Sequence, residues 1–251
     1  MIGGHDPSGG AGLQADIETA ATHRCRAYSL VTCLTTQDSR NVQAVYPQPA
    51  AQLAAQFDLL LADVRPDLVK VGLLGDAELA GMLAERLAAL GVPLVLDPVL
   101  AAGGGTPLAG ERLLEVIREH WLPITHLLTP NRSEARRLSG CEESEAAADA
   151  LLDAGCRQVL LTSADESQGE QVRNTLFSRN GQRPFDWPLL PHSYHGSGCT
   201  LASACACQIA LGSDIENAVT KAQQFTWNAL ARAEHPGKGQ YLPTRWTEHD
   251  A

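Results

Sequence analysis

The chain has 251 residues, of which 44% are hydrophobic, and carries a formal net charge of -10 at pH 7. This length can bury a full core as one large α/β domain or as two small ones, and we favour one. Nucleic acid and anionic membrane surfaces do not attract so acidic a chain. No apolar run is long enough to span a bilayer, and no basic region followed by a hydrophobic stretch opens the chain. We therefore expect a cytoplasmic protein that binds neither nucleic acid nor a membrane.

The first predicted elements follow a glycine-rich loop, residues 3–12, that leads into a helix. Such a loop usually follows a strand, but only Met1 and Ile2 precede it. We therefore expect the first strand to be nearly absent and its neighbour in the sheet to have an unpaired edge. A largely buried strand is predicted over residues 27–35, and a short exposed strand over residues 41–46.

Helices and strands then alternate. Helices with apolar residues at helical spacing are interleaved with strands at 68–72, 93–97, 125–128 and 158–162. This alternation predicts a mostly parallel sheet with helices on both faces.

The remainder of the chain contains a hairpin signal and two helices. Asn180-Gly181 favours a turn between accessory strands over 172–178 and 183–190. Two helices follow His195, and the polar residues 235–251 predict a loose tail.

The seven cysteines are an odd number and include no Cys-x-x-Cys pair. This spacing indicates neither a disulfide framework nor a zinc site. Cys205 and Cys207 would point to different faces of one helix, which is poor geometry for binding a metal.

The sequence His-Gly-Ser-Gly-Cys-Thr at residues 195–200 predicts a tight turn at the start of a helix. Unpaired amides in such a turn, together with the positive end of the helix dipole, can hold a phosphoryl group. Cys199 lies in the first helical turn, where the dipole favours a thiolate. The alternative interpretation is a plain connection between a loop and a helix.

Ligands of α/β sheets bind beyond the carboxyl ends of the strands, and four polar segments lie there. They are the glycine loop with Asp6, residues 36–38, Asp97-Pro98 and residues 129–134. Each also has a purely structural interpretation. For example, Asp97-Pro98 can be a simple turn, and Asn131 with Glu134 in the segment 129–134 can be only a helix N-cap and its capping box.

These motifs resemble those of a known family. Residues 4–16, Gly-His-Asp-Pro-Ser-Gly-Gly-Ala-Gly-Leu-Gln-Ala-Asp, are similar to the N-terminal signature of the hydroxymethylpyrimidine/phosphomethylpyrimidine kinases of thiamine biosynthesis. Residues 195–201 are similar to the C-terminal signature of that family, and Leu-Asp-Pro-Val at 96–99 and Leu-Thr-Pro-Asn-x-x-Glu at 128–134 match in the right order. The resemblance covers essentially the whole chain. Cys199, where the wider ribokinase-like superfamily usually has Asp, is characteristic of the pyrimidine kinases.

The resemblance implies an α/β fold of the ribokinase-like type, with three layers, as a single kinase domain over residues 1–251. It also implies a homodimer that uses ATP and Mg²⁺ to phosphorylate 4-amino-5-hydroxymethyl-2-methylpyrimidine and then its monophosphate. Phosphoryl transfer needs mainly alignment and charge neutralisation, so a thiol suffices as the base.

The resemblance also implies a role for each matching residue. Cys199 takes the proton of the substrate hydroxymethyl group, and Gly196 and Gly198 lie in the anion hole. The residues implied for the pyrimidine site are Gly4, Asp6, Asp16, Gln37 and Leu73. The residues implied for the nucleotide are Asn131, Thr162 and Ser197, and those implied to organise Mg²⁺ are Asp97 and Glu134.

The chain departs from the family at the predicted phosphate loop. Many relatives have Lys-Gly-Gly-His where this chain has Ser163-Ala164-Asp165, so a cation for the ATP phosphates is missing. Asp165 and Glu166 add negative charge instead. Arg132 and Arg173 are the candidates to replace the missing lysine.

Two other functions stay open on the sequence. One is a pyridoxal-type kinase, because pyridoxine also carries a hydroxymethyl group on a flat nitrogen heterocycle. The other is a non-catalytic pyrimidine-binding protein that keeps the Gln37 pocket without handling phosphate.

Overall fold

The computed structural model describes residues 1–164 and 169–246 of the chain. Its strands are β1 (Ile2–His5), β2 (Leu30–Gln37), β3 (Val42–Pro47), β4 (Val69–Val71), β5 (Leu94–Leu96), β6 (Leu127–Leu128), β7 (Gln158–Leu161), β8 (Gln171–Ser178) and β9 (Gly181–Pro188). They form a sheet in the order β3-β2-β1-β4-β5-β6-β7-β8-β9. The six neighbouring strands β2, β1, β4, β5, β6 and β7 are parallel to one another. β3 pairs with β2 in the antiparallel direction, and so does β8 with β7 and β9 with β8.

The helices are α1 (Gly12–Thr22), α2 (Ala50–Asp63), α3 (Ala77–Leu90), α4 (Glu111–Val116), α5 (Arg132–Ser139), α6 (Ser144–Asp153), α7 (Ser197–Ala210) and α8 (Ile215–Ala231). They cover both faces of the sheet, because successive strand residues point to opposite sides. In β5, Leu94 and Leu96 pack with residues of α2 to α6, whereas Val95 packs with α7 and α8. The three-layer α/β architecture predicted from the sequence is thus confirmed.

The expectation of a nearly absent first strand is wrong. β1 lies inside the sheet, where Ile2 and Gly3 pair with Leu30 and Val31 of β2, and Ile2 also pairs with Val71 of β4. Residues 3–5, which the sequence predicted to be loop, complete this strand. Glycines can do so because the hydrogen bonds between strands use only backbone groups. The N-terminal glycine loop therefore consists of residues 6–11, and no edge is left unpaired beside β2.

The predicted loose tail is also wrong for the residues that the structure describes. Tyr241 lies beside Tyr194, and Glu234 pairs with Leu242 in an antiparallel bridge. We call residues 234–245 the C-terminal segment. Arg245, at its end, is 1% exposed. The tail was predicted from local polarity, which does not register contacts with distant loops.

A search of the described helices for a membrane span found none with the necessary length and apolar character.

Candidate active site

A cavity of about 660 Å³ opens where β1, β2, β4 and β5 end, and the N-terminal glycine loop and the start of α7 form part of its wall. Every residue that the sequence predicts for catalysis, substrate, nucleotide or metal lines this cavity. The sheet brings them together because parallel strands end at the same edge.

The anion turn, residues 196–199, has the backbone that the sequence predicts. Gly196 adopts a left-handed conformation with φ of 83° and precedes α7, which begins at Ser197. A Cβ atom at Gly196 would collide with the carbonyl oxygen of Gly10, so only glycine fits here. The first amides of α7 have no partners within their own helix, and residues 196–199 line the cavity. Such a turn suits an anion.

Cys199 is half-buried beside this turn. Burial raises the pKa of its thiol to about 12; Lys70 acts against this rise, while Asp97 and Asp16 add to it. The helix dipole was expected to favour a thiolate here, but burial and two carboxylates act in the opposite direction on the pKa of Cys199.

Lys70 is a buried charged residue of the cavity wall that the sequence reasoning missed. Its ammonium group is 1% exposed and donates a hydrogen bond of 2.7 Å to Asp16 Oδ1, and it lies 3.9 Å from Asp97 Oδ2. Ser203 Oγ donates a further 2.7 Å bond to Asp16 Oδ1. Burial acts to lower the pKa of Lys70, but the two carboxylates raise it, so the side chain stays charged. A lysine within a short apolar strand was the available signal, since unpaired lysines are almost never buried.

Each of the two carboxylates in this cluster has one oxygen that accepts no hydrogen bond from the described residues. Asp16 Oδ2 and Asp97 Oδ2 are buried, and neither has a hydrogen-bond partner among the described residues. A buried carboxylate oxygen without a donor is costly, which points to a ligand that supplies one. Burial raises the pKa of Asp97, and Lys70 opposes that rise.

The side chain of Gln37 is held in place before any ligand binds. It belongs to the end of β2 rather than to the loop after it. Its Nε2 donates a 2.7 Å bond to Thr35 Oγ1, which in turn donates a 2.9 Å bond to the carbonyl oxygen of His5. One amide hydrogen and the amide oxygen stay available for a heterocycle. Nearby, a Cβ atom at Gly4 would lie 3.2 Å from Leu73 Cδ2, so these two residues form a close wall.

Asp6 does not fit the role of a pyrimidine reader. Its Oδ1 accepts bonds from the backbone N–H and the hydroxyl of Ser8, and its Oδ2 accepts from Ala11 N–H and lies 2.7 Å from His195 Nε2. Burial acts to raise its pKa, but hydrogen bonds from His195 and Ser8 hold it below its usual value. Because its oxygens are occupied, Asp6 shapes the N-terminal glycine loop instead.

Asn131 and Glu134 form the capping box that the sequence left as an alternative. Asn131 Oδ1 accepts from Glu134 N–H at 2.8 Å, and Glu134 Oε2 accepts from Asn131 N–H at 2.9 Å. Glu134 Oε1 also accepts from Leu100 N–H at 3.3 Å. The same box starts α5 and places both side chains on the cavity wall, so the structural interpretation holds whether or not a ligand binds there.

The phosphate loop lies at the edge of the described residues. Thr162 pairs with Asn131, and Ala164 lines the cavity. Asp165 and Glu166 fall outside the described residues. Arg173 binds Asp186 through two bonds of 2.7 and 2.9 Å on the exposed hairpin, so it is not the expected replacement for the missing lysine.

The described residues contain no group of three His, Cys, Asp or Glu side chains arranged for a metal. Magnesium in kinases is usually held by one or two carboxylates together with substrate phosphates and waters. Asp97 Oδ2, which accepts no hydrogen bond from the described residues although Lys70 lies 3.9 Å away, fits that pattern. A Cβ atom at Gly198 would lie 3.9 Å from Asp97 Oδ1, which places this carboxylate against the anion turn. Glu134 fits it less well, because the capping box uses its carboxylate.

Comparison with known proteins identifies the family. The family model for phosphomethylpyrimidine kinase matches residues 6–244. The chain belongs to the phosphomethylpyrimidine kinase family. The hydroxymethylpyrimidine/phosphomethylpyrimidine kinase of Synechococcus elongatus is 36% identical over 246 residues, which cover 95% of this chain and 93% of that relative. The resemblance seen in the sequence is thereby confirmed, and the chain is a kinase.

Two solved structures confirm the ribokinase-like fold. A pyridoxal kinase from Staphylococcus aureus in complex with AMP-PCP and pyridoxal superposes with a TM-score of 0.89 at 26% identity, covering 97% of this chain and 91% of that one. The phosphomethylpyrimidine kinase from Clostridium difficile superposes with a TM-score of 0.79 at 28% identity, covering 91% and 96%.

Proposed function

We propose that this kinase transfers the γ-phosphoryl group of ATP to 4-amino-5-hydroxymethyl-2-methylpyrimidine and then to its monophosphate, as a step of thiamine biosynthesis. The observation that carries the proposal is one cavity that holds Gln37 at the end of β2 and Cys199 beside the anion turn. A heterocycle held at Gln37 lies in the same space as the groups that handle phosphate.

Gln37 recognises the ring in this mechanism. Its amide oxygen accepts from the amino group of the pyrimidine, and its remaining N–H donates to the adjacent ring nitrogen. Asp16, fixed by Lys70, offers its free Oδ2 to a donor on the substrate. Leu73 and Gly4 form the wall against the ring.

The anion turn and Asp97 act on the phosphoryl group. Amides of residues 197–199 bind the oxygens on which charge develops, and they do so without reorganisation because the turn is already formed. Asp97 would hold Mg²⁺, which would neutralise charge on the ATP phosphates. Asn131, Thr162 and Ser197 line the part of the cavity that we assign to the nucleotide.

Cys199 takes the proton of the hydroxymethyl group. A protonated thiol cannot accept it, so base catalysis requires the thiolate, which burial disfavours and which the ammonium of Lys70 and the N–H of Gly12 partly stabilise. Because the transition state is loose, little basicity is needed and alignment contributes more. The cysteine therefore assists a reaction that the turn and the nucleotide site organise.

The deciding experiment measures phosphate transfer from ATP to the pyrimidine and to its monophosphate, with mass spectrometry of the products. Formation of the monophosphate and then the diphosphate supports the proposal. Binding of the pyrimidine without any product shows a non-catalytic binding protein and overturns it.

A pyridoxal-type kinase is the second candidate, because the fold superposes so closely on the pyridoxal kinase from Staphylococcus aureus. The same assay with pyridoxal and pyridoxine separates the two. A larger kcat/KM for pyridoxal than for the pyrimidine assigns the chain to this second function.

We also propose that the kinase is a homodimer. Leu34 and Tyr46 pair across β2 and β3, and they are 47% and 53% exposed. Two large apolar side chains on one ribbon suit burial against a second copy. Light scattering of the wild type and of a Leu34→Glu variant tests this; a wild-type monomer contradicts it.

We propose a cytoplasmic location because the cysteines in the described part of the chain form no disulfide bonds. The described residues contain all seven cysteines, and every one is free. Free cysteines are typical of proteins in a reducing compartment. Localisation of a fluorescent fusion tests this.

A further inference from the structure

The C-terminal segment runs directly beside the residues that enter the anion turn. The N–H of Tyr241 donates to the carbonyl oxygen of Ser193, and the N–H of His195 donates to that of Tyr241, each at 2.9 Å. Gln240 N–H donates to Ser39 O at 2.7 Å, close to the end of β2. The segment therefore contacts both the loop before the anion turn and the loop that follows Gln37.

Arg245 donates hydrogen bonds from its guanidinium group to three other parts of the molecule. Its Nε donates to Thr200 Oγ1 at 2.9 Å, and its Nη1 donates to Glu18 Oε2 at 2.9 Å and to Gly9 O at 3.5 Å. Its Nη2 donates to the carbonyl oxygen of Gly10. A single buried side chain thus joins the N-terminal glycine loop, α1 and the first turn of α7.

Two of these partners contact the glycine that begins the anion turn. The Gly10 carbonyl packs so closely on Gly196 that a Cβ atom there would collide with it. Thr200 Oγ1 donates a 2.8 Å bond to Gly196 O while it accepts from Arg245. Arg245 therefore reaches Gly196 through two intermediate groups, the carbonyl of Gly10 and the hydroxyl of Thr200.

We propose that Arg245 is a positioning residue for phosphoryl transfer, which fixes the N-terminal glycine loop against α7 so that the amides of the anion turn point into the cavity. The role rests on the proposed function, because it assumes that the turn binds the transferred phosphate. Arg245 lies just beyond the residues that the family model matches, 6–244. The planar fork of arginine suits this site, since it reaches a hydroxyl, a carboxylate and two carbonyl oxygens at fixed angles.

The first test compares the Arg245→Met and Arg245→Lys variants with Arg232→Met, which removes an exposed arginine near the same end of the chain. We expect Arg245→Met to lower kcat by about 10- to 100-fold, because small misplacements of reacting groups have effects of that size. The KM for the pyrimidine should change by less than about twofold, since Gln37 is held by Thr35. Arg245→Lys should give an intermediate kcat, and Arg232→Met the wild-type value.

A second measurement does not depend on activity. Amide hydrogen exchange of the peptide spanning residues 194–201, in the protein without substrate, should be faster in Arg245→Met and unchanged in Arg232→Met. If Arg245→Met does not fold, Thr200→Val tests the same contact, because it removes the hydroxyl that links Arg245 to Gly196. That variant should show the same faster exchange together with a lower kcat.

The outcomes separate the positioning role from the proposed function. Unchanged exchange in residues 194–201 overturns the role of Arg245 whatever the enzyme phosphorylates. A lower melting temperature with wild-type kcat also overturns it, because Arg245 would then only stabilise the fold. Absence of pyrimidine phosphorylation in the wild type rejects the proposed function instead. Faster exchange in Arg245→Met would still show that Arg245 fixes the anion turn.

Discussion

The part of the cavity that we assign to the pyrimidine, its pyrimidine half, is formed by side chains. The part that we assign to the nucleotide, its nucleotide half, is formed mainly by a turn, a loop and a helix start. Around the pyrimidine, side chains from strands and α1 hold one another, as Lys70 holds Asp16 and Thr35 holds Gln37. Around the nucleotide, the wall consists of the anion turn, a capping box and the loop after β7. In the proposed function, recognition of the ring therefore depends on a few fixed side chains, whereas binding of the phosphates depends mainly on backbone groups.

The Lys70→Met variant should break the pyrimidine half most severely. It leaves Asp16 and Asp97 buried without their counter-charge, and breaking a buried pair in this way costs about 3–5 kcal/mol of unfolding free energy. Urea denaturation measures the loss, with the exposed Lys221→Met as control. Adding Asp16→Asn to Lys70→Met should restore part of the stability. A fully stable single variant would show that Lys70 does not neutralise this cluster.

Replacing the thiol tests where the two halves meet. We expect Cys199→Ala to lower kcat by about 100-fold or more, the usual loss on removing a general base, and to leave pyrimidine affinity largely unchanged. Cys199→Asp should keep some activity, because a carboxylate accepts the same proton. The half-buried Cys141 lies elsewhere, and Cys141→Ala is the matched control. Wild-type turnover in Cys199→Ala contradicts the assigned role.

Gln37→Leu should separate the halves by affinity. It leaves ring donors and acceptors unpaired, so pyrimidine binding should weaken by about 1–3 kcal/mol while ATP binding barely changes. Calorimetric titration with each ligand measures this, and Gln43→Leu, exposed on the neighbouring β3, is the control. Equal weakening of both ligands would mean that Gln37 supports the fold rather than the ring.

The smallest effect is expected from adding the cation that the nucleotide half lacks. Ala164 is exposed and lines the cavity, so Ala164→Lys should tighten ATP binding by at most about fivefold, the range of an exposed charge pair. Ser163 is a poorer position, because it is 3% exposed and its hydroxyl donates to Arg173 O. Kinetics at limiting Mg²⁺ test the variant. No change in KM for ATP would place the phosphates away from this loop.

The sequence predicted the elements whose signals are local. Alternating apolar runs specify parallel strands and helices because burial follows the period of each element, and the strand ends then fix where polar residues meet. The Asn180-Gly181 turn is likewise a local signal, and the structure has the hairpin there.

The errors concern properties that distant residues decide. β1 becomes a strand because β2 and β4 flank it. Asp6 does not fit its predicted role because its carboxylate is bound by groups that include His195, 189 residues away in the sequence. The thiolate expected at Cys199 is opposed for the same reason, since burial by the whole fold raises the pKa of its thiol. Lys70 was hidden by apolar neighbours whose partners come from other elements.

The hydrogen bonds that Arg245 donates to the N-terminal glycine loop have a consequence for how the protein folds. The contacts of Arg245 with Gly9 and Gly10 span 236 and 235 residues, nearly the whole chain. Contacts between such distant residues form slowly, because the loop between them must close first. During synthesis, the N-terminal glycine loop leaves the ribosome long before Arg245 does. We therefore expect the anion turn to be among the last parts of the molecule to become ordered, well after the parallel strands have paired.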